Sequence, residues 1–467
     1  MASFFVYDLV FLIIFILAFT LFFVKRKSHF KRQGWLYLYH TNFGIKLIDS
    51  FTNKYKKILK PLQYLVIFSG YILMISMTWL IARFSYSYLS SSELVRALKV
   101  PVVIPLIPYL PELFKLDFLP PFYFTYWIII IALIAIPHEF AHGIFARLNK
   151  VKVHSTGFGF LGPFLAAFVE PDEKHMQKRG IFAQLSVLAA GTFANILAAV
   201  LCALLLWGFF ATAFVPAGIT FNSYATTAVN LSDVNSINGV PIQNFSLDNI
   251  NTTQRLSEVE VDNTSYQTNT EILYYMFANE FDYIVVYDDA PAFNARLNGT
   301  IISIDGEKIS SFEVLRNKLS QYSPGDNVSI STLSENNINN YSITLGDNNG
   351  TAFLGIGTIP TQRSGILSGV YSVVASVKDP NVYYESRIGD IGIFLYDLLW
   401  WSILINISVA LVNMLPVGLF DGGRFFYLTI LAITKNEKHA MFMFKMFTYL
   451  ILLLVAAMTV KWIFAFT

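Results

Sequence analysis

The stretch FYFTYWIIIIALIAIPHEFAHG (Phe122–Gly143) decides how the whole chain is read. Its first fifteen residues carry no formal charge and suit a helix crossing hydrocarbon, yet His138, Glu139 and His142 follow within the same segment. Ionisable groups at bilayer depth are costly and are kept for function. The composition extends this reading to the rest of the chain, with 55% hydrophobic and only 14% charged residues in 467. Six runs are long enough to span about 30 Å as helices, at 4–24, 62–83, 121–148, 182–212, 389–420 and 440–465. The expected fold is a polytopic α-helical membrane protein of about six transmembrane helices, with a β-rich domain inserted between the fourth and fifth. The proline-punctuated segment within 84–120, VPVVIPLIPYLPELF, opposes a regular helix and reads as membrane-surface or re-entrant.

Charge sets the expected topology. The first run lacks a basic leader and is followed by Lys25, Arg26, Lys27, Lys31 and Arg32, the reverse of a cleavable signal, so it reads as a retained anchor. Lys46, Lys54, Lys56, Lys57 and Lys60 extend the basic stretch and place 25–61 in the cytoplasm. By alternation the 149–181 loop is cytoplasmic and the 213–388 segment is extracytoplasmic. Eight Asn-x-Ser/Thr sequons in that segment agree, at Asn230, Asn244, Asn251, Asn263, Asn298, Asn327, Asn340 and Asn349; Asn406 alone lies elsewhere, in a span. A net charge of +2 gives no reason to expect a nucleic-acid partner, and the single Cys202 excludes intrachain disulfides and cysteine-based zinc sites. The bilayer is the one partner that composition demands; oligomeric state is not readable.

The chain therefore divides into 1–120, two spans and a membrane-associated segment; 121–212, the first half of a core; 213–388, the insert; 389–436, the second half; and 437–467, a last span. The insert repeats itself. DVNSINGVPIQNFSLDNI (233–250) aligns with TIISIDGEKISSFEVLRN (300–317), and each copy predicts a strand, a tight Asn-Gly or Asp-Gly turn, a second strand and a helix start. Copies near 220–285 and 286–360 follow. The second continues as APAFNARLNGTIISIDGEKISSFEVLRNKLSQYSPGDNVSISTL (290–333) and resembles a PDZ domain, without a clear counterpart of that family's Gly-Leu-Gly-Phe loop. The resemblance implies peptide capture at a sheet edge; a structural β-domain that only blocks access is the other reading.

His138 and His142, four apart, share one helix face and can reach one Zn²⁺; Glu139, one step round, is placed as a general base. A third ligand is needed. His29, His40 and His439 lie in loops or at span edges, and His154 and His175 lie in the 149–181 loop. NMLPVGLFDGGR (413–424) offers Asp421 at the same side of the membrane as the histidines.

Together, His138-Glu139-x-x-His142 in a membrane helix, the later Asn-x-x-Pro and Asp-Gly-Gly elements and the intervening insert resemble the site-2 protease family of intramembrane zinc metalloproteases, peptidase family M50. GFGFLGPFLAAFVEPDEKHMQKRG (157–180) is similar to the family's Gly-rich hairpin, and AAGTFANILAA (189–199) to its Ala-Gly-x-x-x-Asn motif. Phe420 stands where the family usually has Leu before the Asp. The resemblance implies one zinc per chain held by His138, His142 and Asp421, Glu139 as proton carrier, and Asn195, with Asn413 as a weaker second, as donor to the oxyanion or substrate backbone. Expected substrates are membrane proteins with a transmembrane helix, cut within or beside it in regulated signalling. The 157–170 segment is expected to offer them a strand edge, a hairpin that merely caps the site being the other reading, and the insert is then expected to act as a size filter. Two alternatives stand beside this: a zinc protease facing water from a membrane anchor, and a scaffold or receptor displaying PDZ-like domains around a vestigial site.

Overall fold

The computed structural model describes every residue except 1, 27–29, 34–35, 42, 91–105, 115, 117–118, 162–163, 252–253, 263, 335–336, 359–377 and 467. Two compact units emerge: Met1–Phe209 with Ile393–Thr467, and Phe210–Gly392.

Six helices in the described residues are long and apolar enough to cross a membrane. They are α1 (Ala2–Arg26), α2 (Phe43–Ser90), α4 (Phe124–Leu148), α6 (Ile181–Ala213), α7 (Asp390–Asn413) and α9 (Glu437–Phe466). Shorter helices are α3 (Leu110–Leu113), α5 (Glu173–Gln177) and α8 (Asp421–Thr434). Several hydroxyls inside the long helices are satisfied locally: Thr52 donates to the Ile48 carbonyl, Thr78 to Met74 and Ser402 to Leu398. Such back-bonding is how a polar side chain avoids an unpaired group in an apolar surrounding. The core of this unit is built from α2, α4, α6 and α8, through Ile48, Val66, Phe145, Leu185, Ala189 and Phe425.

Two expectations change. The basic 25–61 stretch carries structure of its own: β1 (Phe30–Gln33) and β2 (Leu36–Thr41) precede α2, which begins nineteen residues ahead of the expected span at 62. These strands join β3 (Val153–Leu161) and β4 (Phe164–Pro171) in one antiparallel sheet of order β1-β2-β3-β4, with β4 at an edge. The span expected at 389–420 stops at Asn413, because Pro416 lacks an amide hydrogen and cannot extend a helical ladder. Residues 414–420 then turn back onto α8, and Gly422 and Gly423 permit this: a Cβ at Gly422 would lie 2.2 Å from the Met414 carbonyl carbon, and one at Gly423 2.3 Å from the Val417 oxygen. Of the 84–120 segment, residues 84–90 continue α2, residues 91–105 lie outside the described residues, and α3 contributes one turn.

Among the described residues the second unit has two larger sheets and three two-stranded ones, and the two larger sheets carry its cores. One orders Thr264–Asn269, Leu256–Val261, Val234–Ile237 and Val240–Pro241, with a helix at Thr270–Ala278 and a core of Ile237, Val259, Leu273 and Ile284. The other orders Asn337–Thr344, Asn327–Ser334, Thr300–Ile304, Phe214–Ile219 and Val382–Ser386, with a helix at Phe312–Leu319 over Ile219, Ile301, Ile304 and Val328. The second copy thus draws strands from outside 286–360. Both predicted tight turns form, with positive φ at Asn238 and Gly239 (49° and 78°) and at Asp305 and Gly306 (48° and 80°), as a right-twisted two-residue hairpin requires. The first copy lacks the expected helix start and has single 3₁₀ turns at Ile242–Asn244 and Leu247–Asn249 instead. The seven described sequon asparagines of this unit are exposed, whereas Asn406 is fully buried.

Candidate active site

Helix α4 carries the histidines, and its N-terminus is tied down by a residue from another helix. Asp8 of α1, 2% exposed, accepts from the Phe124 N–H at 2.9 Å, the Thr125 N–H at 2.8 Å and the Thr125 hydroxyl at 2.5 Å; the Tyr109 hydroxyl also donates to it. A carboxylate here meets the orphan amides and the positive end of the helix dipole. Further along, Pro137 removes one backbone donor from the turn just before His138.

The imidazoles of His138 and His142 are buried and converge, with their Nε2 atoms 3.0 Å apart. Asp421, the first residue of α8, brings its Oδ2 to 3.6 Å from His138 Nε2 and 3.3 Å from His142 Nε2. Among the described residues these three form the group of His, Cys, Asp or Glu side chains able to hold a metal ion. The donor set fits zinc: two imidazole nitrogens and one carboxylate oxygen match three-ligand catalytic sites that leave a position open. Helix α6 supplies the space. A Cβ on Gly191 would sit 2.4 Å from His142 Nε2 and 2.5 Å from His138 Nε2, so any side chain there would fill the point on which the ligands converge.

The other ring nitrogens face α6 as well. His142 Nδ1 lies 2.7 Å from the Val187 carbonyl, which can only accept; Nδ1 therefore carries the proton and Nε2 presents a lone pair. His138 Nδ1 is 3.1 Å from the Asn195 amide. With nitrogen turned to the ring, Asn195 Oδ1 is left buried without a partner; turning the amide over lets Oδ1 accept from Nδ1–H. Val187, Gly191 and Asn195 are four residues apart, one stripe along α6.

Glu139 is half-buried beside the histidines, and its Oε2 accepts from the Val169 N–H of β4 at 2.9 Å. The remaining histidines stand apart from the site. His40 meets Ser155 at 2.9 Å, His154 and His175 flank Asp172 at 3.3 and 3.5 Å, His439 is exposed, and His29 lies outside the described residues. Asn413 is the last residue of α7. Reading the sequence did not find Asp8, Gly191 or Val187; the four-residue spacing from Asn195 back to Gly191 and Val187 was the available signal.

The model of peptidase family M50 matches residues 126–455. The chain belongs to peptidase family M50. No curated protein matches it. Membership makes this a multi-pass membrane metallopeptidase, and M50 peptidases depend on zinc. The matched interval runs from the start of α4 into α9 and so contains all three converging side chains of this M50 peptidase.

Proposed function

We propose that this chain is a site-2-type zinc endopeptidase that hydrolyses a peptide bond within or next to a transmembrane segment of membrane-anchored substrates, in regulated intramembrane proteolysis. The carrying observation is the convergence of His138 Nε2 and His142 Nε2, from a helix long and apolar enough to cross a membrane, with Asp421 Oδ2 at the start of α8, around the space kept open by Gly191. Zinc held there would polarise the scissile carbonyl and lower the pKa of water toward about 7. Glu139 takes the proton from the attacking water and delivers it to the departing amine, so one O–C bond forms as the C–N bond breaks. Asn195 acts behind His138, fixing the tautomer that leaves Nε2 free. That role agrees better with its contact to Nδ1 than donation to an oxyanion does.

A substrate helix hides its peptide groups and must unwind locally before attack. The outer edge of β4 suits the unwound segment. Val169 turns its N–H away from β3, and by the two-residue period Ala167 does the same. We assign the site to the cytoplasmic side, on the lysine-rich loops, and the Phe210–Gly392 unit to the opposite side, where its PDZ-like sheets select substrates already trimmed.

Zinc content and cleavage of a membrane-helix reporter, measured on wild type, Glu139→Gln and Asp421→Asn, test the reading. Zinc kept and cleavage lost in Glu139→Gln, with zinc weakened in Asp421→Asn, are the expected results. Unchanged cleavage in both would refute it and favour a scaffold.

A further inference from the structure

Helix α2 has 48 residues, roughly 72 Å at 1.5 Å per residue, while about 30 Å suffices to cross hydrocarbon. Pro61 divides it. Lacking an amide hydrogen, Pro61 cannot bond to the Lys57 carbonyl, and such a position lets a helix change direction.

The first part has three faces rather than two. At about 100° per residue, Ile48, Thr52, Leu59 and Val66 fall within roughly 40° of one another, and all are buried against the rest of the unit. Leu47, Phe51 and Ile58 form a second arc about 40° wide, exposed by 50%, 40% and 64%. Leu65, five turns above Leu47 and also exposed, carries this arc straight into the apolar surface that Ile72, Ile75 and Trp79 present from the spanning part. Lys46, Asn53, Lys57 and Lys60 make the third arc, on the far side, with Lys54 and Lys56 at the margins, and all are exposed. Among the described residues none of the five lysines pairs with a carboxylate.

We infer that residues 44–60 lie along the membrane surface, with Leu47, Phe51 and Ile58 sunk into the acyl boundary and the lysines held on anionic lipid headgroups. Continuity of the apolar arc with the lipid-facing surface of the same helix identifies the bilayer as its occupant. The separate lysine arc specifies the charge of the headgroup, since basic juxtamembrane residues gain from an anionic leaflet and long lysine stems reach it while their methylenes stay apolar. The third face, on the protein, orients the helix. Gly143 of α4 has no side chain at this contact, and a Cβ there would come 2.6 Å from Ile48 Cδ1. This inference requires only that the chain spans a membrane and does not depend on the peptidase reading.

The test uses full-length protein in vesicles, with Cys202→Ala as background and a nitroxide label at one introduced cysteine: Leu47→Cys, Phe51→Cys or Ile58→Cys on the apolar arc, Asn53→Cys or Lys57→Cys on the polar one. Collision with dissolved oxygen against a water-soluble nickel chelate reports depth. Oxygen-dominated relaxation on the first arc and nickel-dominated relaxation on the second are expected. Nickel access on both arcs would put the segment in water, and exclusion of both reagents from the first arc would mean that a protein surface covers it; either overturns the inference. For the headgroup, the Phe51→Cys label should move deeper when phosphatidylglycerol is added to phosphatidylcholine vesicles, and the shift should vanish with Lys54, Lys56, Lys57 and Lys60 changed to Gln. A label depth identical in both lipids would overturn the anionic assignment.

Discussion

The Glu139 carboxylate accepts a hydrogen bond from the Val169 N–H at 2.9 Å, joining the proposed proton carrier to the edge strand β4. In the proposed reading one strand both positions the carboxylate and offers the nearby amides to a substrate. Ala167→Pro separates these functions, because its N–H points away from β3 and proline is tolerated at such an edge. Zinc content is expected to stay, while reporter cleavage drops about tenfold through the lost pairing. Unchanged cleavage would refute strand pairing.

Gly191→Ala opposes local and global effects. Alanine in a helix interior is worth about 1 kcal/mol over glycine, so helix α6 should gain. Its methyl would nevertheless stand 2.4 Å from His142 Nε2. Crowding two buried imidazoles costs about 1–3 kcal/mol and offsets that gain, so bound zinc is expected to fall well below one per chain with the thermal midpoint of the zinc-free protein little changed, as read by metal analysis and scanning fluorimetry.

Asp8→Leu removes the acceptor for the Phe124 and Thr125 amides and for two hydroxyls. A loss of about 2–4 kcal/mol is expected from several uncapped donors, seen as a lower unfolding midpoint in detergent. Asp8→Asn, which keeps one acceptor, should lose less.

In the second unit, Asp305 sits in the tight turn and accepts from the Tyr322 hydroxyl and the Ser329 N–H; these bonds, the hydroxyl first, hold its carboxyl below the usual carboxylate range. Its contribution is complete above the unfolded value near 3.9 and is lost as pH falls through the depressed folded value. Protease resistance of this unit, followed in the full-length protein as pH is lowered, should fall less steeply in Asp305→Asn than in wild type, from a lower starting level.

The strands Phe214–Ile219 and Val382–Ser386, where the chain enters and leaves the second unit, pair antiparallel with Ile219 opposite Val382. Residues 220–381 can thus be replaced by a two-residue turn. The shortened protein is expected to keep zinc and to cut untrimmed substrates that wild type spares. Unchanged selectivity in a competition between trimmed and untrimmed reporters would remove the filter.

Much of this was legible because its signals are local. Helix spacing placed His138 with His142, apolar length marked the spans, and Asn-Gly and Asp-Gly announced both turns. Asp421 was legible as a side chain but not as the start of a new helix, since that depends on how 414–420 folds back against Gly422 and Gly423. The four-stranded sheet was half visible: β3 and β4 alternate within one hairpin, whereas β1 and β2 are supplied from a distant stretch whose lysines and arginines spoke only to the side of the membrane. Asp8 was hidden for the same reason, as nothing near it in sequence shows which amides it serves.

Asp8 also imposes an order on assembly. Its amide partners are made 116 and 117 residues later. Until they arrive, an otherwise apolar α1 carries a carboxylate that hydrocarbon rejects. The first helix is therefore expected to settle only when α4 emerges, making insertion of the two a joint event. In a nascent chain arrested before Phe124, a cysteine introduced beside Asp8 should react readily with a water-soluble maleimide, and in one arrested well beyond α4 it should be shielded.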